Sequence, residues 1–169
     1  MAFDAFLWFD SLVIGQTLDK EMSANKAMDI YSFSLGASNP TSVTATGSGL
    51  SAGKVSISSF NFMKKTDSAS PIMFQCCAGG QHFATVNVAL RKAAGNDATK
   101  ITFLSYTFTS CMIESIQWSG SSGGDDTPTE SVSIAFAQLQ ISFQKQNDKG
   151  AKDGAAITGG WNSQTGQKA

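Results

Sequence analysis

The sequence predicts a mainly β protein: a compact two-sheet β-barrel with one short α-helix and one long extended loop. Three features predict it: apolar and polar residues alternate with a period of two, a single segment carries helix start and stop signals, and one long stretch is uncharged and low in complexity. Val86, Val88 and Leu90 alternate with Thr85, Asn87, Ala89 and Arg91, the pattern of a strand buried on one face. The phase slips where Val55 and Ile57 give way to Phe60 and Phe62. It slips again where Val132, Ile134 and Phe136 give way to Leu139, Ile141 and Phe143. One extra residue turns every later side chain to the other face, so slips of this kind predict bulges or strands that bend from one sheet into another. From Ile101 to Trp118 both phases are apolar in places (Phe103, Leu104, Tyr106, Phe108), which predicts a strand covered in part on both faces.

The helix is predicted over about Pro71 to Ala78. Ser70 is placed to cap it, Pro71 suits its first turn, and Gly79 or Gly80 supplies the positive φ that ends it. Ile72 and Cys76, and Met73 and Cys77, then lie one turn apart on an apolar segment that plugs or flanks the barrel. Two long loops interrupt the strands. One runs from Ala37 to Gly53 and the other, Gly-rich and acidic, from Ser119 to Ser131. From Asn147 onward strand periodicity is lost, although Ile157 and Trp161 call for apolar cover.

At 169 residues one domain spanning 1–169 is the expectation. Twelve Lys and Arg against thirteen Asp and Glu give a net charge of -1, so no basic field gathers nucleic acid or an anionic membrane. Charged residues are 15% of the chain and neutral polar ones dominate the remainder, a surface that self-assembly desolvates at small cost. The apolar run Phe6 to Phe9 lacks a preceding basic region, and no stretch is long enough to span a bilayer. The chain is therefore expected to be made in the cytoplasm without a cleaved signal.

Reactive residues are few. With His82 as the single histidine, two-histidine mechanisms and histidine-rich metal sites are excluded, and His82 reads as a surface or interface residue. Cys76, Cys77 and Cys111 read as buried thiols, the adjacent pair being too strained to bridge. Asp125-Asp126 lacks the spaced oxygen ligands of a calcium loop, and neither Gly79-Gly80 nor Gly123-Gly124 sits in a phosphate-binding context. Lys64-Lys65 reads as a solvated strand end. Gln138, Gln140, Ser142 and Gln144 form a polar phase opposite Leu139, Ile141 and Phe143, suited to water or to another subunit. No catalytic residue, cofactor or metal site is expected.

The ordered set of segments "MAFDAFLWFD", "MDIYSFSLGAS", "GKVSISSFNFMKKTDSASPIMFQCCAGGQHF", "VNVALRKAAG" and "ESVSIAFAQLQISFQKQ" resembles the Hcp (haemolysin-coregulated protein) family. The most specific parts are Lys64 through Pro71, Arg91-Lys92-Ala93 and Phe136-Ala137-Gln138. The vicinal cysteines and a Ser/Thr-rich rather than Gly-rich loop depart from the family pattern. The resemblance implies a compact β-barrel that forms hexameric rings, stacked into the inner tube of the type VI secretion machine, below a spike and inside a sheath, with small effector proteins in the lumen. It implies a lumen-facing, cargo-binding position at Ser34. Alternation puts Ile30, Ser32 and Ser34 on one face and Tyr31, Phe33 and Leu35 on the other, which is expected to fill the core. The loop, comprising Ala37, Ser38, Asn39, Pro40, Thr41, Ser42, Val43, Thr44, Ala45, Thr46, Gly47, Ser48, Gly49, Leu50, Ser51, Ala52 and Gly53, is expected to act as a ring-stacking arm. The alternative is a small carbohydrate-binding barrel module, with Trp118 and Trp161 as its only aromatic platforms.

Overall fold

The computed structural model describes residues 3–43, 50–93, 100–124 and 126–169. Strands β1 (Asp4–Phe9), β2 (Met28–Ile30), β3 (Ser32–Ser34), β4 (Ala37–Ser38), β5 (Thr41–Val43), β6 (Leu50–Ala52), β7 (Ser56–Ile57) and β8 (Phe60–Lys65) precede the helix α1 (Ser70–Gly79). After it come β9 (His82–Ala93), β10 (Lys100–Ser119), β11 (Thr129–Phe143), β12 (Ile157–Asn162) and β13 (Gln167–Lys168). One nine-stranded sheet runs β13-β12-β11-β10-β9-β1-β2, with β8 also pairing β11 and β3 pairing β8. The mainly β class with one helix is as the sequence predicts. Barrel describes it loosely, because the strand pairings do not close into a ring; the chain changes partner instead, leaving β1 at Ile30 and joining β8 at Ser32, and Tyr31 N–H donates to Met63 O at 3.1 Å.

The apolar phases converge on a main core that includes Leu7, Met28, Phe60, Phe62, Val86, Val88, Phe108, Val132 and Ile134, and a smaller cluster of Phe6, Met22, Ala27 and Ala89 is buried separately from it. Phe108 is its aromatic centre, with ring centroids 4.9 Å from Phe60 and 4.7 Å from Phe136. The slip in β11 is shared by its neighbours. Phe83, Cys111 and Phe136 are ladder partners in one inward row, and Val86, Phe108 and Leu139 form the next. Two residues separate these rows on all three strands, so the strands change face together while their register holds, and Ser110 adopts φ 55° at that level. Register does shift elsewhere on β10, between Thr102 and Leu104 and between Ile113 and Ser115. The slip after Ile57 is a break between β7 and β8, where Ser58 N–H donates to Gly36 O at 2.8 Å.

The helix starts at Ser70, and Ser70 is not its cap. Asp67 Oδ1 accepts the Ala69 N–H at 2.9 Å, while the Ser70 hydroxyl turns inward to donate to Glu130 Oε1 at 2.9 Å. Gly80, at φ 66°, ends the helix as expected. The tail is more ordered than its pattern suggested. β12 pairs β11 from Gln138 to Phe143 and carries β13 on its other edge. Gly160 permits this, since a Cβ there would lie 2.9 Å from Leu139 O and 3.1 Å from Ala169 O. Trp161 finds partial cover, but Ile157 does not and remains 67% exposed.

Candidate assembly and cargo surfaces

The outer face of the β3-β8-β11-β10 region carries two rows of mostly small, neutral residues, bordered by the exposed Lys65 on β8 and by the exposed Glu114 on β10, which accepts from the Ser59 hydroxyl. Because Phe60, Phe62 and Lys64 of β8 and Glu130, Val132 and Ile134 of β11 point inward, the alternate positions must point out. Cross-strand register then lays Ser34, Asn61, Ser133 and Ser115 in one row and Ser32, Met63, Ser131 and Gln117 in the next. Ser32 and Ser34 are both exposed. Asn61 is fixed in place: its Nδ2 donates to Ser59 O at 3.1 Å and its Oδ1 accepts from the Ser133 hydroxyl. On the reverse face Phe33 and Leu35 pack against the core. Tyr31 does not, contrary to the alternation. It is 54% exposed and Ile30 takes the core position instead, because the change of partner at Tyr31 resets the phase.

The segment expected to be a loop is an arm with its own strand pairing. β4 pairs β7 and β5 pairs β6, and Gly53 N–H donates to Pro40 O at 2.7 Å where the two sides pinch together. The arm's Thr44, Ala45, Thr46, Gly47, Ser48 and Gly49 lie outside the described residues. At the base of the arm an open groove of about 550 Å³ is lined by Lys54, Val55, Ile57, Ile141 and Trp161, with Leu139 behind them. The polar phase of β11 meets the tail at this edge: Gln138 Oε1 accepts from Asn162 Nδ2 at 3.2 Å, and Gln144 Nε2, just beyond the strand, donates to Gly154 O at 3.1 Å.

Two ionic clusters escaped sequence reading. Lys64, expected to be solvated, has no exposed side-chain area. Its Nζ lies 2.7 Å from Glu130 Oε1 and 2.6 Å from Asp67 Oδ1, and donates to Lys65 O at 2.8 Å. Trp118 Nε1 donates to the other Glu130 oxygen at 2.7 Å, so this carboxylate ties β8, β10 and α1 together. In the second cluster Arg91 pairs with Asp19 and Glu21, and Lys100 pairs with Asp19 and Asp4. Burial alone would push the Asp19 carboxyl up. Hydrogen bonds from the Met22 N–H, Lys100 and the Glu21 N–H, together with the Arg91 charge, outweigh burial and hold it below the ordinary carboxylate value. Asp67 is three residues from Lys64, but Glu130 and the partners of Arg91 lie up to 72 positions away, where no local pattern announces them.

Cys76 and Cys111 are buried as expected and are poor nucleophiles, whereas Cys77 is only partly buried. Burial pushes Cys111 up to about 12 and raises Cys76 as well, the reverse of the lowered pKa that activates cysteine. His82 is exposed at the start of β9. Asp126 is exposed and Asp125 lies outside the described residues; among the described residues no group of three His, Cys, Asp or Glu is placed to hold a metal. Trp118 is 44% exposed, but one side packs on Phe74 at 5.8 Å and its N–H is taken by Glu130. No helix among the described residues is long and apolar enough to cross a membrane.

Fold and surfaces together define a β-scaffold protein, one whose buried ionic groups hold the fold while one broad face presents two rows of neutral side chains. Residues 6–143 match the family model described as type VI secretion system effector, Hcp, and the chain belongs to that family of secretion tube proteins. It is 35% identical over 109 residues to protein hcp1 of Pseudomonas aeruginosa strain PAO1, a match spanning 64% of this chain and 65% of that protein, just under two thirds of its length. Among solved structures it is similar to a type six secretion system protein at 30% identity and a TM-score of 0.90, covering 99% of this chain and all of the other. It is likewise similar to Hcp1 from Salmonella typhimurium at 28% identity and a TM-score of 0.78, covering all of both chains.

Proposed function

We propose that this chain is a structural subunit of the type VI inner tube, closing with copies of itself into a hexameric ring and stacking ring upon ring. The observation that carries this reading is the two-row neutral face bearing Ser32 and Ser34, on a chain of the Hcp family. Two rows of neutral side chains, with Glu114 and Lys65 as the charges at their borders, let a protein or a column of water pass with little electrostatic trapping, which suits the wall of a channel. Ser34, with Ser32 beside it, contacts a small effector carried in the lumen, through hydroxyls that both donate and accept. The arm from Ala37 to Gly53 reaches the next ring, since an uncharged segment docks with little desolvation cost. Spike and sheath proteins are its further partners, and the chain leaves the cell through this machine.

Light scattering on the purified protein tests the ring, and a species that stays monomeric at high concentration and low salt overturns it. Deleting residues 44–49 should spare the ring and abolish tubes seen by electron microscopy; tubes that form unchanged remove the arm's role. In an intact ring, Ser34→Gln should weaken retention of a co-expressed effector, and undiminished retention removes the cargo role.

A further inference from the structure

Residues 11–18 join β1 towards β2 with no regular secondary structure, yet they alternate with a period of two. Val13 is 2% exposed and sits in the core. Gly15 N–H donates to Lys26 O at 2.9 Å, and a Cβ on Gly15 would stand 2.3 Å from Ala27 O. Thr17 is buried, donating its N–H to Ala27 O at 3.1 Å and its hydroxyl to Asp29 Oδ1 at 3.0 Å. With these odd positions pinned inward, Leu12, Ile14 and Leu18 turn out and are 57%, 52% and 99% exposed. Leu12 also holds φ 61°, a left-handed conformation that costs a non-glycine residue free energy and persists where the surroundings impose it.

A matching surface lies at the other end of the molecule. The groove at the arm's base adjoins Ile57, just before β8 starts at Phe60. Segment 14–16 meets Ser68, just after β8 ends at Lys65, through the Ser68 N–H to Gln16 Oε1 and the Ser68 hydroxyl to Ile14 O. A strand of this length separates Ile57 from the Ile14–Gln16 part of the segment by about 20 Å. Their charges are complementary. Residues 11–18 hold no ionisable side chain and are preceded by the exposed Asp10, while residues 37–53 hold none and are followed by the exposed Lys54 on the groove's rim.

We propose that Leu12, Ile14 and Leu18 of one copy seat in the groove at the base of the arm of the next copy, with Asp10 of the first facing Lys54 of the second. The occupant of the groove is thus a second copy of this chain. The inference rests on the stacked-ring reading above and supplies a surface through which successive rings meet. A contact between opposite ends is head-to-tail and repeats along an axis, so it joins rings to one another.

The test has two arms on the full-length chain. Leu18→Asp alters a side chain wholly in water, so melting temperature and ring mass should match wild type while tubes are lost. Tubes that persist, or a ring that falls apart, overturn the proposal. In the second arm, chains carrying Leu18→Cys are mixed with chains carrying Ile57→Cys under mild oxidation. A disulfide-linked dimer well above the level formed by wild type or by either variant alone is expected; no excess over those controls overturns the proposal. The residue 44–49 deletion separates the two ideas. Tubes lost on deletion but intact with Leu18→Asp sink this contact and leave the arm's role standing, whereas the opposite result sinks the arm's role and leaves this contact.

Discussion

Lys64 and Glu130 stand directly opposite one another on β8 and β11, Nζ 2.7 Å from Oε1, and neither side chain reaches solvent. Each charge is tolerated because the other is present. Removing one partner leaves an uncompensated buried charge, which costs about 3–5 kcal/mol. Lys64→Met alone should therefore lower unfolding stability in urea by an amount of that order. Lys64→Met combined with Glu130→Gln should recover much of the loss, because the amide oxygen still accepts from Trp118 while its NH2 donates to the Ser70 hydroxyl, which can turn to accept. A double variant no more stable than the single one would show that the ionic pair was not the cause.

The Asp19 cluster predicts a pH signature. Its carboxyl is held below its ordinary value of 3.8, so the stability it contributes is fully present above that value and is lost as pH falls through the lower folded one. Asp19→Asn should reduce the melting temperature clearly at pH 7, with the gap to wild type closing as pH drops below about 3.8. A gap that stays constant down to acid unfolding would contradict this assignment.

Two adjacent glycines in β12 should respond oppositely. A Cβ on Gly160 meets Leu139 O and Ala169 O, whereas one on Gly159 meets nothing within 4 Å. Gly160→Ala is expected to cost about 1–3 kcal/mol through overpacking and to expose the tail to protease. Gly159→Ala should be close to neutral. Thermal melts and limited proteolysis of the pair, run side by side, check both.

The aromatic centre sets a gradient of cost. Phe108 is fully buried, so Phe108→Ala should lose about 3–5 kcal/mol. Phe33 is half-buried, stacked 5.9 Å from Phe60, and Phe33→Ala should lose less, about 1–3 kcal/mol. Ser34→Gln, on the exposed face, should leave the melting temperature within about a degree or two of wild type. Ser34→Gln unfolding the chain while Phe33→Ala is silent would mean that the two faces of β3 had been exchanged.

Much of this was legible in the chain itself. Val86, Val88 and Leu90 announce their strand because one face of it is core and burial imposes period two. Ser32 and Ser34 read as exposed for the same reason, and Gly80 as a helix stop because αL geometry is local. Tyr31 misled because a change of partner resets the phase without leaving a mark in composition. Lys64 misled because its burial depends on the distant Glu130 together with Asp67, and a neighbouring aspartate alone does not announce a buried lysine. β12 was missed because glycines at 159 and 160 erase the alternation that would have revealed it, and the smallness of Gly160 is what lets the strand dock.

The rows Phe83-Cys111-Phe136 and Val86-Phe108-Leu139, with two residues between them on each of three strands, limit how this chain can be lengthened or shortened. Deleting one residue at that level in β10 alone would put its remaining half out of step with β9 and β11 at once. A compensating deletion in only one neighbour would still leave the other mismatched. Insertions and deletions there must therefore arrive in all three strands together or not at all, so this crease should be the part of the molecule whose length drifts least in descendants, while the arm and the segment around residue 125 are open to change.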